Sequence, residues 1–518
     1  MLNFFNKRYF ILFIFPLILG GICVLSFNPF NYFFFNAISL SLLFYLIYYV
    51  KKKTQSSYRK KPFLKNLFFL GTSYGFGFFF FGFYWIAYSL TFDNSFKFLI
   101  PFALILIPLF LSLFFSIPII FVGYFIDLKI SSIVLISLSF SIFDFLRSFI
   151  LTGFPWNLWA YSFLWSLESL QILSVIGIFS LNLFIISLFF LPASIFFNGR
   201  PKYFLISFFL ILSFINYFYG SLQINKQKLV DPQKTINFKI ASAGIDLSDF
   251  KDQKLIIKKL ITLSEPQKNK NTIFIWPEGV ILDENLMKKA EIKQLFKDNF
   301  SDNHLIVLGS NTKKVFGKDQ LYFNSLLVLD RNLKVIHQYD KQKLVPFGEF
   351  IPFEKFFDEI GFKKIALGYS SFSKGNNNSL INLKFNNQNV NLLPLICYEI
   401  IFPKLVENKI RQFNFIVNIS EDAWFGDSVG PEQHFTKAIF RSIETKAFTI
   451  RSANKGVSAF IGPDGKILKS LNSSEFGNID MDLPILKSKK NTTKKSLIFS
   501  LFLITYVVAF FVLRKFKL

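Results

Sequence analysis

A chain of 518 residues with 52% hydrophobic residues and 75 phenylalanines is too apolar for a soluble protein and long enough for two domains. Its formal net charge of +25 comes without zinc-finger spacing or any other nucleic-acid module, so a Lys-rich composition with anchors facing anionic lipid explains it better than a nucleic-acid partner. Two cysteines, Cys23 in an apolar segment and Cys397 in a mixed one, exclude a disulfide framework, and the scattered His304, His337 and His434 offer no metal-ligand spacing.

In chain order, apolar runs long enough to cross a bilayer as helix lie near 9–27, 32–50, 66–90, 98–125, 131–149, 170–197 and 203–219, and an eighth at 496–513 closes the chain. The first could be read as a lipoprotein signal because of "GGIC", but Ile22 occupies the place such a box reserves for a small residue, and further spans follow. Residues 51–65, "KKKTQSSYRKKPFLK", carry basic and no acidic residues. With Lys7, Arg8, "NGRPK" and the terminal "RKFKL" they mark one side as cytoplasmic, which places 220–495 outside; "KSKKNTTKK" before the last span runs against this and is outweighed by the other loops. Asp144 and Arg147, on one helical face of the fifth run, are either a functional intramembrane pair or a structural ion pair.

Three parts follow: a seven-helix transmembrane domain over 1–219, a globular domain over 220–490 and a final transmembrane helix over 496–513. In the globular part, β-rich runs such as "TIFIW", "HLIVLGS", "NSLLVLD" and "FNFIVNIS" alternate with helical patterns such as "KKAEIKQLFKDNF" and "HFTKAIFRSIETKAF", which favours a layered α/β fold. "TIFIWPEGV" delivers Glu278 at a strand end, "YDKQKLVPFGEFIP" presents Lys341, Lys343 and Glu349, and "VNLLPLICYEI" ends in Cys397. A carboxylate, an ammonium and a thiol are the set that covalent acyl chemistry requires. The thiol is mostly protonated at neutral pH and needs a base, for which Glu278 fits, while Lys341 fits the cation that meets the oxyanion. Each residue also has a plainer reading, Cys397 as a buried hydrophobe and Glu278 as a solvated strand end. Just beyond Glu349, Phe353, Phe356, Phe357 and Ile360 recur at helical spacing and continue with Phe362, Ile365 and Leu367, a stripe that either packs into the core or forms a membrane-facing lid.

Glu278, Lys341 and Cys397 in that order, within "WPEG", "YDKQKLVPFGEFIP" and "CYE", resemble the nitrilase superfamily. With "LTGFPWNLWAYS", "CYEIIFP", "DAWFGDSVGPEQHF" and "IGPDGKI", nearly the whole chain resembles the apolipoprotein N-acyltransferase family. The resemblance implies a multi-span α-helical membrane protein of eight helices carrying an αββα sandwich. It implies an enzyme without cofactors that takes an acyl chain from a membrane phospholipid as a Cys397 thioester and passes it to the N-terminal amine of diacylglyceryl-cysteine on apolipoproteins. It further implies a bacterial inner-membrane location with the catalytic domain on the periplasmic side; we expect a monomer. Supporting positions fall on Glu349, Tyr398, Glu399 and Trp424; Tyr398 and Trp424 could instead be core aromatics, and Glu349 could serve only to hold Lys341. Two departures stand out: Glu421 replaces an Asn usual in the family, and a functional Trp is missing near Ile245, where Phe250 could fill its space. The alternatives are a membrane-anchored amidase or nitrilase hydrolysing C–N bonds and, outside enzymes, a transporter with a degenerate outer domain.

Overall fold

The computed structural model describes residues 7–54, 61–228, 234–247, 252–316, 319–352, 371–376, 380–407, 409–410, 412–486 and 494–518. The stripe from Phe353 to Leu367 and Phe250 lie outside these residues. The chain divides into two compact units, one of Met1–Ala87, Lys97–Lys226 and Thr492–Leu518, the other of Tyr88–Phe96 and Gln227–Asn491.

The first unit is helical because its long apolar runs leave the backbone no polar partner other than itself. Among the described residues, seven helices are long and apolar enough to cross a membrane: Phe34–Thr54, Phe63–Thr91, Asn94–Phe125, Ile130–Arg147, Leu173–Phe196, Pro201–Lys226 and Lys495–Lys515. The first apolar run of the sequence forms an eighth, shorter apolar helix, Phe10–Ser26. It begins in a π-helical turn over Phe10–Ile14 and ends in a 3-10 turn over Cys23–Ser26. Glycines set the close crossings in this unit. A Cβ on Gly20 would lie 2.0 Å from the Tyr74 carbonyl oxygen, and one on Gly77 would lie 2.1 Å from that of Leu17, so the two backbones meet where no larger residue fits. On the outside, Phe204 and Phe214 are 76% and 71% exposed, a surface suited to hydrocarbon rather than water.

The Asp144–Arg147 pair resolves into a structural device. Arg147 Nη2 donates to Asp144 Oδ1 at 2.9 Å and Nη1 to the Phe154 carbonyl at 2.6 Å. Asn182 donates to Asp144 Oδ2 at 2.8 Å while accepting from the Ala160 N–H at 3.1 Å. A buried charge is tolerable only when paired and hydrogen-bonded, and this pair pins the "GFPWNLWAYS" loop to the helices Ile130–Arg147 and Leu173–Phe190.

The second unit contains two six-stranded sheets. The first runs in the order β12 (Gly477–Pro484), β1 (Thr235–Ser242), β2 (Thr272–Ile275), β3 (His304–Phe316), β4 (Asp319–Leu329), β5 (Val335–Asp340). The second runs β11 (Ile467–Leu471), β10 (Ser458–Ile461), β9 (Phe448–Asn454), β8 (Phe415–Glu421), β7 (Gln388–Ile396), β6 (Ile381–Phe385). In each, three parallel strands, β1–β2–β3 and β7–β8–β9, are flanked by antiparallel neighbours. The sheets face each other through Phe238 and Phe415, whose ring centroids are 5.0 Å apart, and through Ser242 Oγ, which donates to the Ala453 carbonyl. Helices Gln253–Ser264 and Ala290–Asn299 cover the first sheet, burying Ile256, Leu260, Ile292 and Phe296 against Phe274, Trp276 and Leu308. Helix Gly430–Thr445 packs on β9 and β10 of the second. This is the αββα sandwich expected from the sequence.

Candidate active site

Three strand ends converge on one edge of the sandwich. Because β5 is antiparallel to β4 and β4 to β3, β5 runs with β2, and their carboxyl ends share that edge. Glu278 leaves β2 in a turn closed by Gly279, whose φ of +69° suits glycine. The turn can sit against β3 only because residue 309 is glycine, since a Cβ there would lie 2.5 Å from Glu278 Cα. Lys341 follows β5 directly and anchors through its N–H to the Asn324 carbonyl at 2.8 Å. Cys397 follows β7 and takes φ +48°, a left-handed conformation uncommon for a residue with a side chain. Such strain is kept where neighbouring contacts enforce it, and it turns the thiol out of the strand direction.

The side chains form one buried polar network. Lys341 Nζ, 1% exposed, lies 3.2 Å from Glu278 Oε1 and 2.9 Å from Glu349 Oε1. Burial works against its charge, but Glu278 and then Glu349 outweigh it and hold the ammonium well above its ordinary range. Lys341 is therefore a fixed cation at neutral pH and not a base. Burial pushes the Cys397 thiol up, Glu278 adds to that, and Lys341 opposes it. The resting thiol is therefore protonated and awaits a base.

Sequence reasoning missed Asn324. Its Nδ2 donates to Glu278 Oε1 and to Glu349 Oε1, both at 2.7 Å, so one amide and one ammonium hold two carboxylates side by side. Nothing in "QLYFNSLLVLD" marks it; the signal appears only once β4 lies between β3 and β5. Glu349 also accepts from the Val345 N–H at 2.9 Å, which orders the loop after Lys341.

Glu399, wholly buried, clamps two strand ends. Oε1 accepts the N–H groups of Gln342 at 2.7 Å and Lys343 at 3.1 Å, Oε2 accepts that of Ile396 at 2.8 Å, and the Tyr339 hydroxyl reaches both oxygens at 3.0 Å. The Lys341 loop is thereby tied to the Cys397 turn across the two sheets. Lys343 joins this clamp through its backbone N–H, while its ammonium lies 4.9 Å from the Phe402 ring centroid. The Tyr398 ring packs edge-on against Phe402 at 5.0 Å, and the Trp424 ring lies edge-on to Phe92 at 5.5 Å.

Glu421 stands at the end of β8. Its backbone N–H donates to Glu278 Oε2 at 2.9 Å, while Asn454 Nδ2 donates to both its carboxyl oxygens, at 2.9 and 3.0 Å. Burial pushes this carboxyl well above the usual range, and the Glu278 and Asp422 charges push the same way. Asn454 also brackets Ile245, accepting its N–H at 2.7 Å and donating to its carbonyl at 2.8 Å. Among the described residues, no group of three or more His, Cys, Asp or Glu is placed to hold a metal ion.

The comparisons with known proteins follow this division of the chain. A family model of the apolipoprotein N-acyltransferase N-terminal domain matches residues 19–191, and one of the carbon-nitrogen hydrolases matches 239–485. The apolipoprotein N-acyltransferase of Rhizobium rhizogenes is 30% identical over 479 residues, covering 90% of this chain and 88% of its own. The chain belongs to the apolipoprotein N-acyltransferase family. The apolipoprotein N-acyltransferase of Rickettsia prowazekii is 31% identical over 476 residues, covering 90% of this chain and 91% of its own. Among solved structures, an amidase from Nesterenkonia sp. is 16% identical with a TM-score of 0.33, covering 49% of this chain and 93% of its own. Nit3 of Saccharomyces cerevisiae is 14% identical with a TM-score of 0.35, covering 49% and 91%. As a member of this family the chain is an enzyme of lipoprotein N-acylation, and its apolar helices make it a multi-pass membrane protein.

Proposed function

We propose that the chain transfers an acyl chain from a membrane phospholipid, through a thioester on Cys397, to the α-amine of diacylglyceryl-cysteine on an apolipoprotein. Cys397 Sγ attacks the ester carbonyl carbon as Glu278 takes the thiol proton. The oxyanion is met by the Lys341 ammonium and the peptide N–H that follows Cys397. As the C–O bond breaks, Glu278 returns the proton to the leaving alcohol oxygen and the lysophospholipid departs. The acceptor amine then attacks the thioester carbonyl, the C–S bond breaks, and the proton released from the amine returns through Glu278 to the thiolate. A covalent intermediate lets two bulky lipids use one site in turn.

The observation that carries this reading is the placement of Glu278, Lys341 and Cys397 at the ends of β2, β5 and β7, with Lys341 Nζ 3.2 Å from Glu278. The buried, protonated thiol fits it, because such a sulfur becomes a nucleophile only as its proton moves to Glu278. The basic 51–65 loop supports an inner-membrane protein whose second unit faces the periplasm.

The test pairs the full-length enzyme with equimolar phosphatidylethanolamine–phosphatidylglycerol vesicles and a diacylglyceryl-cysteine peptide, its amine free or acetylated. The free-amine peptide should gain one acyl chain in a hydroxylamine-resistant amide, and the acetylated peptide none. Release of free fatty acid with both peptides unchanged would contradict the proposal and leave a hydrolase.

A further inference from the structure

A second buried network lies under Cys397, and the chemistry proposed above uses none of its side chains. His434, on helix Gly430–Thr445, Asp422 and Arg451 are each fully buried. His434 Nε2 lies 3.2 Å from the Cys397 carbonyl oxygen, and Nδ1 lies 3.0 Å from Asp422 Oδ1 and 3.2 Å from Arg451 Nη2. A carbonyl oxygen only accepts, so Nε2 carries a proton and donates it, whichever partner Nδ1 takes. Asp422 is fixed in turn by Ser420 Oγ and Arg451 Nη2, both at 2.6 Å. Arg451 Nε donates to the Val457 carbonyl at 3.2 Å and its Nη1 to Asn418 Oδ1, while Asn418 Nδ2 donates to the Leu395 carbonyl at 2.9 Å. The network thus closes on β7, the strand that ends at Cys397. A Cβ on Gly456 would lie 2.2 Å from Asp422 Oδ2, so a side chain at that position would displace the aspartate.

We propose that His434 is a positioning residue for acyl transfer: by holding the Cys397 carbonyl it fixes the Cys397–Tyr398 peptide plane, so that the Tyr398 N–H on the opposite edge points at the oxyanion. A trans peptide is planar, and its C=O and N–H point in opposite directions, so gripping one aims the other. Cys397 needs such a grip because its φ of +48° lies outside the favoured regions for a residue with a side chain, and loss of the bond frees the peptide to rotate. With its Nε2 proton committed to the carbonyl, His434 is not the base for the thiol. The inference rests on the proposed thioester chemistry, in that it assigns His434 a share in the oxyanion step.

The discriminating fact is that acylation passes through an oxyanion and alkylation by iodoacetamide does not. Full-length His434→Leu, His434→Asn and His434→Gln are compared in detergent for acylation of Cys397 by a p-nitrophenyl ester, alkylation by iodoacetamide and melting, and after reconstitution for acylation by the phospholipid vesicles above. Gln extends an amide N–H close to where Nε2 stood; Asn is too short and Leu has no donor. Acylation should slow on the order of 100-fold in His434→Leu and His434→Asn, as when one oxyanion donor is lost, and should largely return in His434→Gln, with alkylation unchanged throughout. The inference is overturned if acylation and alkylation fall together, if Gln rescues no better than Asn, or if His434→Leu acylates normally. If the unsubstituted chain accepts the p-nitrophenyl acyl group but nothing from vesicles, the phospholipid proposal fails, and the ester measurements still decide the role of His434.

Discussion

Asn324 donates to two carboxylates that also share Lys341, so its removal leaves two negative charges facing each other with one fewer donor. Hydrogen bonds to charged groups contribute about 1.5–3 kcal/mol each. Asn324→Leu should therefore slow Cys397 acylation by about 10- to 100-fold, read by single-turnover mass spectrometry; an unchanged rate would make Asn324 a bystander. Glu421 gives a pH signature. Its folded pKa is raised, so its contribution to stability is full below the unfolded value of about 4.3 and is lost as pH rises through the folded value. Glu421→Gln removes that titration: melting of the variant should fall less between pH 5 and pH 9 than melting of the parent chain, and parallel profiles would refute the assignment. At this scale the sequence displayed chemistry but not partnership. The places of Glu278, Lys341 and Cys397 at strand ends were legible because each follows a strand-like run. Asn324 was not, being a polar residue within one, and His434 was passed over because three histidines were weighed only as metal ligands. Its partner Asp422 stands twelve residues away in the same quoted motif.

The decisive link between elements is Glu399. Three backbone N–H groups and the Tyr339 hydroxyl converge on its carboxylate, joining the end of β7 to the loop after β5. In Glu399→Gln one acceptor oxygen becomes an amide that faces donors, so destabilisation of about 2–3 kcal/mol and loss of most acylation should appear together. Full stability with lost acylation would instead place Glu399 against the substrate. The strands were readable from "TIFIW", "HLIVLGS", "NSLLVLD" and "FNFIVNIS", which became β2, β3, β4 and β8. Their pairing was not, since nothing local says that β7, and not β3, lies beside β8. The first apolar run was legible as helix, but its π and 3-10 ends, which pack against the helix Lys61–Phe83, were not.

For the whole molecule, the apolar runs and the mixed-charge stretch between them announce a membrane-spanning unit and a layered α/β unit. The sequence did not reveal that Tyr88–Phe96, from the first half of the chain, groups with the second unit. The orientation drawn from the basic loops predicts that a membrane-impermeant maleimide labels Lys469→Cys, on the exposed β11, in intact spheroplasts, and labels Lys53→Cys only after permeabilisation. The reverse pattern would put the catalytic unit in the cytoplasm. The central claim is that one thiol carries the acyl chain between two lipids, and intact-mass measurement of the full-length enzyme tests it most directly. After incubation with equimolar phosphatidylethanolamine–phosphatidylglycerol vesicles, the chain should gain one acyl mass that hydroxylamine or a free-amine diacylglyceryl-cysteine peptide removes, and Cys397→Ala should gain none. An adduct of the same mass on Cys397→Ala, or one that the peptide leaves in place, would contradict the account.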